Sequence, residues 1–348
     1  MVHHYAALSR PSAPDCSVCI ANFNGEHLLV DCIDSILGQV DGGCIEIIVH
    51  DDASTDRSVA LLRERYPQVE ILASAVNVGF CISNNRMVEH ARGTYVLLLN
   101  NDAALFPDGL RTLLDAVAAA PDRAAVLTLP QYDWETGILV DRGLLLDPFY
   151  NPVPNLDASR GDVGMVIGAC LFMPRSLWHA LGGLPEWMGS IAEDMFLCCT
   201  ARLSGARVQV AAASGYRHRQ GASFGGNKPR AGKLLTTFRR RQLSERNKTA
   251  VLFICTPTSV VWPLLGLHLL FLAIEGVVMA LLARKRSIWT EIYGAAIRAV
   301  LKDIRVLIRR RSLRQSLRSV SLREYVQPFT LFPHKLRLLY RHGKPVVR

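Results

Sequence analysis

Two stretches of this 348-residue chain, Ile45–His50 (IEIIVH) and Tyr95–Leu99 (YVLLL), are apolar almost without alternation and end in clusters of acids and amides. A strand with one wet face alternates apolar and polar residues. A strand without alternation is covered on both faces, as in a parallel sheet sandwiched between helices. Cys16–Ala21, Val69–Ala73 and Ala124–Leu129 read as further strands. Between them, Glu26–Leu37, Thr55–Tyr66 (with Ser54 as N-cap), Cys81–Ala91 and Leu110–Ala119 carry helical spacing. The unit recurs every ~25–30 residues, the length of a strand–helix–strand crossover. The expected fold is therefore α/β, a mostly parallel Rossmann-like sheet with helices on both faces.

Past residue 130 the pattern changes. Gly137–Leu146 and Val163–Met173 read as strands, a helix follows Ser176, another spans about Glu193–Ser204, and Arg207–Ala211 is a short strand. No linker composition separates this part from the first. The expected layout is a disordered tail over 1–14, one domain over 15–235, and a basic, apolar helical region over 236–348.

Charge divides the chain in the same way. Residues 1–227 hold 15 Arg, no Lys and 25 acids, a balance of −10; residues 228–348 hold 25 Lys plus Arg against 5 acids, a balance of +20. The basic residues are interleaved with long apolar runs. That mixture fits an anionic lipid surface and argues against nucleic acid. The nine cysteines lie partly inside apolar strands, and Cys16-x-x-Cys19 has no second pair at a zinc spacing, so reduced core cysteines are expected. Met1–Asp15 is short, polar and contains Pro, unlike a signal peptide, which places the domain in the cytoplasm.

Ligands of open parallel sheets bind beyond the carboxyl ends of strands. Two such ends here are polar: Asp51-Asp52-Ala53-Ser54-Thr55-Asp56 and Asn100-Asn101-Asp102. No GxGxxG and no P-loop occurs, so dinucleotide and P-loop readings lose their main support. A carboxylate at a strand end suits a hard divalent cation, Mg²⁺ or Mn²⁺, that neutralises a leaving diphosphate, and Asp102 stands in that place.

Eight segments then fall in a recognisable order: Ser17–Asn24 (SVCIANFN), IIVHDDASTD, NVGF at Asn77–Phe80, the Asn84-Asn85 pair, GTYVLLLNND, IGACLFMPR, LGGLPE, and AED at Ala192–Asp194. Together they resemble the family 2 inverting glycosyltransferases of GT-A fold, in the rhamnosyltransferase-like branch, over about residues 16–255. The resemblance implies that Asn22 and Asn24 lie in a nucleotide-contacting loop and that Asp51 accepts the pyrimidine N–H, selecting uracil or thymine. It adds Asn77, Asn85, Asn101, Gly168 and Ala169 to the nucleotide-sugar contacts. It makes Asp102 the last residue of the metal motif, with Asn100 where the first acid would stand, and His218 a further ligand. It makes Asp194 the catalytic base, with Glu193 raising its pKa by like-charge repulsion. Phe196 stands where many relatives carry another acid. Without the resemblance, Glu193 and Asp194 read equally as acids suited to a helix start, and His218 as a surface histidine.

The implied reaction is transfer from a UDP- or dTDP-sugar, dTDP-rhamnose among them, to a hydroxyl of a glycan or lipid-linked acceptor, in polysaccharide synthesis at the cytoplasmic face of a bacterial inner membrane. The alternatives are a catalytically weak sugar-nucleotide-binding or scaffold subunit and a nucleotidyltransferase. Val260–Ala283 is apolar over 24 residues, long enough to span a bilayer, but contains Pro263, His268 and Glu275. Ile288–Ile308 carries a helical apolar stripe with Arg298, Lys302, Arg305 and Arg309 on other faces. This predicts a basic amphipathic helix lying in the membrane plane, against a span and a soluble appendage as alternatives.

Overall fold

The structure, a computed structural model, describes residues 2–120, 124–220, 229–230, 233–342 and 346–347. In chain order its elements begin with β1 (Val2–Tyr5), β2 (Cys16–Asn22), α1 (Glu26–Leu37), β3 (Ile45–Asp51), α2 (Ser58–Arg65), β4 (Val69–Ser74), α3 (Phe80–His90), β5 (Tyr95–Leu99), β6 (Ala103–Leu105) and α4 (Gly109–Ala118). They continue with β7 (Ala125–Thr128), β8 (Gln131–Asp133), β9 (Leu139–Asp141), β10 (Leu144–Leu146), β11 (Pro152–Pro154), β12 (Cys170–Pro174), α5 (Arg175–Leu181), α6 (Glu193–Leu203), β13 (Arg207–Val210) and β14 (Tyr216–His218). The helical end comprises α7 (Phe238–Cys255), α8 (Val261–Ala283), α9 (Gly294–Lys302), α10 (Ile304–Gln315), α11 (Leu322–Tyr325) and α12 (His334–His342), with a wide π-type turn over Ile288–Tyr293. The chain divides into two compact units: residues 1–144, 154–190 and 206–219 form the first, and 145–153, 191–205 and 220–348 the second.

The first unit is built on an eight-stranded sheet of order β1-β4-β3-β2-β5-β12-β7-β13. Strands β2, β3, β4 and β5 run parallel, as the non-alternating runs demand. Val18, Ile20, Val49, Leu97 and Leu99 pack with Leu29, Ile33 and Ile36 of α1 in one buried cluster. β12 is antiparallel to β5, so the sheet is mixed at this side. A second, four-stranded sheet of order β6-β14-β8-β9 follows from short strands.

Several elements depart from the sequence reading. Residues 2–5, expected in a disordered tail, add β1 antiparallel to β4, where the edge strand offers unpaired backbone groups. The strand expected over Gly137–Leu146 breaks into β9 and β10 at Gly143, whose φ of 70° no strand sustains. Of the second expected strand, Val163–Met173, only Cys170–Met173 lies in a sheet strand, β12. Ser54 does not cap α2, which begins at Ser58. Asp56 instead accepts from the Ser58 N–H at 3.0 Å and from the Glu26 N–H at 3.0 Å, tying the starts of two helices.

The second unit is helical. From Asn247 to Cys255, α7 is buried on all sides, as a central helix is. Its last carbonyls are closed by Arg311, whose Nη1 donates to Phe253 O at 2.6 Å and to Thr256 O at 2.7 Å, a cation placed at the negative helix end. Gly276 of α8 lets the Tyr293 ring lie against the helix backbone: a Cβ there would stand 2.5 Å from Tyr293 Cβ. The apolar stripe of residues 288–308 is spent inside this unit, with Ile288, Ile292, Tyr293, Ala296, Val300 and Leu307 buried. Of that stripe Leu301 and Ile308 stay exposed, so what remains outward is scattered rather than the continuous apolar face expected. The exposed apolar face belongs to α8 instead, whose Trp262, Leu270, Phe271, Ile274, Val278 and Leu281 face outward. His268 is buried, and Glu275 bonds Arg241 and Lys335.

Candidate active site

In the first unit, the register that pairs β2 with β3 sets Asn22 opposite Asp51 at the carboxyl ends of both strands. Asn22 Nδ2 donates to Asp51 Oδ2 at 3.0 Å, and Asn101 Nδ2, just past β5, donates to Asn22 Oδ1 at 2.8 Å. Asp51 Oδ1 accepts from the Ser54 N–H at 3.0 Å. Ser54 Oγ accepts from the Asn24 N–H at 2.9 Å, and Asn24 Oδ1 from the Thr55 N–H at 2.8 Å. Asn22, Asn24, Asp51 and Asn101 are thus one hydrogen-bonded ring across three strand ends. Asp51 is buried and keeps further lone pairs on both oxygens, since a carboxylate accepts about four bonds.

Asp52 was not singled out in the sequence, yet it shapes the loop beside this ring. Its two oxygens accept from the N–H groups of Val78 at 2.7 Å and Gly79 at 2.8 Å. That pins the NVGF turn, where Gly79 has φ 86° and Asn77 is exposed. Asn85 does the same for LGGLPE. Its Oδ1 accepts from Leu184 N at 2.9 Å and its Nδ2 donates to Leu184 O and Glu186 Oε1. Its amide is consumed inside the protein. Gly168 lies under the Phe80 ring, 3.2 Å from where its Cβ would be, and Ala169 O accepts from Asn100 N at 3.1 Å. Both therefore line up with the Asn100–Asp102 corner.

Asp102 and His218 are distant in sequence but meet because β6 and β14 pair antiparallel with His218 opposite Ala103. His218 Nε2 lies 3.1 Å from Asp102 Oδ1, yet that oxygen accepts no hydrogen bond among the described residues. The reason lies on the other side of the ring. Gln131 Oε1, at the start of β8, receives the Tyr216 hydroxyl at 2.8 Å and stands 3.2 Å from His218 Nδ1. An oxygen can only accept, so Nδ1 carries a proton, and in the neutral imidazole Nε2 keeps its lone pair. Two acceptors 3.1 Å apart, one of them an almost fully buried carboxylate oxygen, fit a cation between them. Gln131 and Tyr216 are the supporting residues that the sequence did not announce; their one signal was position, Gln131 opening just past the 124–129 strand.

In the second unit, Glu193 and Asp194 open α6. The residues before them, Ile191 and Ala192, have φ of 72° and 69°. A β-branched residue there is strained, at roughly 1–3 kcal/mol. Asn247 of α7 holds the turn by donating to Ile191 O at 2.7 Å. Asp194 Oδ1 accepts from the Met195 N–H at 2.7 Å. Glu193 is buried, and one of its oxygens has no hydrogen-bond partner among the described residues. Burial first, then the charge of Asp194, pushes its pKa up, with Arg240 opposing. Phe196, one turn on, is buried with Arg314 stacked over its ring at 5.3 Å.

Comparison with known proteins adds to this geometry. Residues 17–181 match the model of glycosyl transferase family 2. The succinoglycan biosynthesis protein ExoO of Rhizobium meliloti is 32% identical over 114 residues, 32% of this chain and 32% of that protein. The N-acetylglucosaminyl-diphospho-decaprenol L-rhamnosyltransferase of Mycobacterium tuberculosis is 26% identical over 183 residues, 44% of this chain and 59% of that protein. The chain spans a third or less of the length of several curated relatives it matches. The crystal structure of S. aureus TarS 1–349 in complex with UDP shares the fold, with a TM-score of 0.54, 17% identity, and coverage of 95% of this chain and 92% of that one.

Proposed function

We propose, for a chain whose residues 17–181 belong to glycosyl transferase family 2, that it transfers a sugar from a nucleotide diphosphate donor to an acceptor hydroxyl with inversion. The observation that carries this reading is the Asp102–His218 pair beside the Asn22–Asp51–Asn101 ring: an anion-binding cation site next to acceptors suited to a pyrimidine N–H. UDP- and dTDP-sugars carry that N–H; a cytosine base does not. Bound there, Mg²⁺ or Mn²⁺ would supply positive charge to the leaving diphosphate. Asp102 and His218 would hold it.

The chain's own residues do the rest. Asp51 and Asn22 orient the base, and Gly168 and Ala169 leave room for the sugar. The acceptor oxygen attacks the anomeric carbon as the carbon–diphosphate bond breaks, and Asp194 takes the hydroxyl proton. The nucleotide diphosphate leaves with the bonding pair. Glu193, held neutral by burial, spares Asp194 a second negative charge. A glycan or lipid-linked acceptor of cell-surface polysaccharide is the substrate class in this reading, as the names of ExoO and the mycobacterial rhamnosyltransferase indicate for those proteins.

The same reading places the protein on the cytoplasmic face of a membrane. α8 is apolar enough to cross a bilayer, with a mean hydropathy of 2.2 in its most apolar window. Its polar residues, His268 and Glu275, are turned to partners within the second unit: His268 bonds Thr249 Oγ1, and Glu275 bonds Arg241 and Lys335. The outward face is Trp, Phe, Leu, Ile and Val, ending at exposed Arg284, Lys285 and Arg286. Apolar area with a polybasic rim is the pairing that anchors a helix in the plane of an anionic leaflet.

Paired variants test the site. Asp102→Asn should lose cation-dependent nucleotide binding by calorimetry together with turnover. Asp194→Asn should lose turnover by ~10²–10⁴ while nucleotide binding persists, because the base acts on the acceptor. Full turnover in excess EDTA defeats the cation role, near-normal turnover of Asp194→Asn defeats the base, and pyrophosphate release would mark a nucleotidyltransferase.

A further inference from the structure

In the first unit, away from the strand ends that build the candidate site, His4 of β1, Glu70 of β4 and His90 at the end of α3 converge. Their ligand atoms lie within 4.8 Å of one another, and no other such triad of His, Cys, Asp or Glu occurs among the described residues. Glu70 Oε1 is in contact with His4 Nε2 and lies 3.0 Å from His90 Nε2. Glu70 is buried, and its other oxygen accepts from the Ala7 N–H at 2.9 Å. Burial alone would raise its pKa; the bonds from Ala7, His90 and His4 and the charge of Arg10 outweigh that and hold it down at about 2.

A cation already stands where these atoms aim. Arg10 Nη1 is 3.1 Å from Glu70 Oε1 and 3.3 Å from His90 Nε2. Arginine has only donors, so that contact is favourable in the tautomer whose lone pair is on Nε2, the form in which His90 gives up its bond to Glu70. Glu70 Oε1 and His90 Nε2 are then two acceptors facing one positive charge, with a second imidazole alongside. Arg10 has anchors of its own, Glu46 Oε2 at 2.8 Å and His90 O at 2.8 Å, and it lines a cavity of about 220 Å³ with Glu46 and Glu70. Of the triad, only Glu70 borders that cavity, beside the Arg10 guanidinium.

We propose that His4, Glu70 and His90 form a second metal site, for Zn²⁺, which pins β1 and α3 to the edge of the sheet. Two imidazoles and one carboxylate are a zinc donor set, and a water in the cavity completes four ligands. Two imidazoles against one, with a carboxylate in each, favour Zn²⁺ here over the Mg²⁺ or Mn²⁺ chemistry of Asp102 and His218. Zn²⁺ would link β1, which the sheet holds through β4 alone, to α3 as well.

The test uses tag-free, metal-stripped full-length protein and ZnCl₂, read by calorimetry and by thermal shift, independently of turnover. The expected result is one equivalent bound with micromolar or better affinity and a raised Tm. Binding should weaken tenfold or more in both His4→Ala and His90→Ala, and persist in Asp102→Asn. Arg10→Gln, which removes the competing charge, should bind more tightly. Absence of Zn²⁺ uptake by the wild type, or uptake unchanged in His4→Ala and His90→Ala, overturns the site, as does uptake lost only in Asp102→Asn. Failure of the strand-end site leaves this result unaffected, since each has its own variant.

Discussion

Two buried carboxylates, one in each unit, answer burial in opposite ways. Asp141, in β9 of the first unit, has one N–H donor, from Gly143 at 3.0 Å, and no cation offsets its burial. Its pKa is pushed up to about 7. Glu245, in α7 of the second unit, is more deeply buried. Lys335 stands at 2.9 Å, Arg241 at 3.1 Å and Lys248 at 3.4 Å, and these outweigh burial and hold its carboxyl well below the usual range. Asp141 is tolerated by being kept neutral, whereas Glu245 is kept charged by paying in cations. Burial by itself therefore does not say whether an acid is ionised, and the partners must be counted.

The largest test of that contrast is to remove one side of the pairing. Glu245→Ala leaves Arg241, Lys248 and Lys335 facing one another with only Glu275 as counter-charge. Breaking a buried ion pair costs about 3–5 kcal/mol. Chemical denaturation of full-length protein should show that loss. A change below about 1 kcal/mol would mean the cluster is solvated and the contrast is false.

Asp141→Asn should move stability the other way, with a pH dependence. Between the ordinary value of 3.8 and about 7 the folded state holds a proton that the unfolded chain releases. Stability is therefore fully present below about 4 and falls as pH rises through 7. The neutral isostere avoids this, so at pH 8 the variant should be more stable than wild type by ~4 kcal/mol, converging with it near pH 4. Thermal melts at both ends of that window decide it; an equal difference at pH 4 and pH 8 would show that Asp141 does not titrate there.

The contrast also explains what could be read from the sequence. The parallel strands were legible because burial on both faces leaves runs such as YVLLL, and strand ends then bring Asn22, Asp51 and Asn101 together without further information. β1 was not legible: VHHY is four polar-to-apolar residues whose strand state comes from the open edge of β4. The β6–β14 ladder was not either, since three-residue strands carry no periodicity, so the resemblance to a family paired Asp102 with His218 but left Gln131 and Tyr216 unseen. The helical end misled for a different reason. Hydropathy averages around a helix and cannot tell which face is outward. It took the buried stripe of residues 288–308 for a membrane face and read His268 and Glu275 as flaws in α8, when they are its inward face.

The smallest expected effect concerns that outward face. If α8 lies in an anionic leaflet, the exposed triplet Arg284-Lys285-Arg286 at its end sits over the headgroups. Each basic residue there contributes ~1 kcal/mol, screened by salt. Lys285→Gln should therefore lower partition onto phosphatidylserine vesicles about fivefold at low salt. At high salt the difference should vanish for wild type and variant alike. The apolar face remains in both, so binding to neutral vesicles should be weak and unchanged by the substitution. In the second unit, then, charge on α8 is turned inward to pair with charge, and on the proposed reading its outward apolar area is the face that meets lipid. Partition that ignores both the substitution and the salt would instead mark α8 as a span or as a face covered by protein, and would remove the lipid from the comparison.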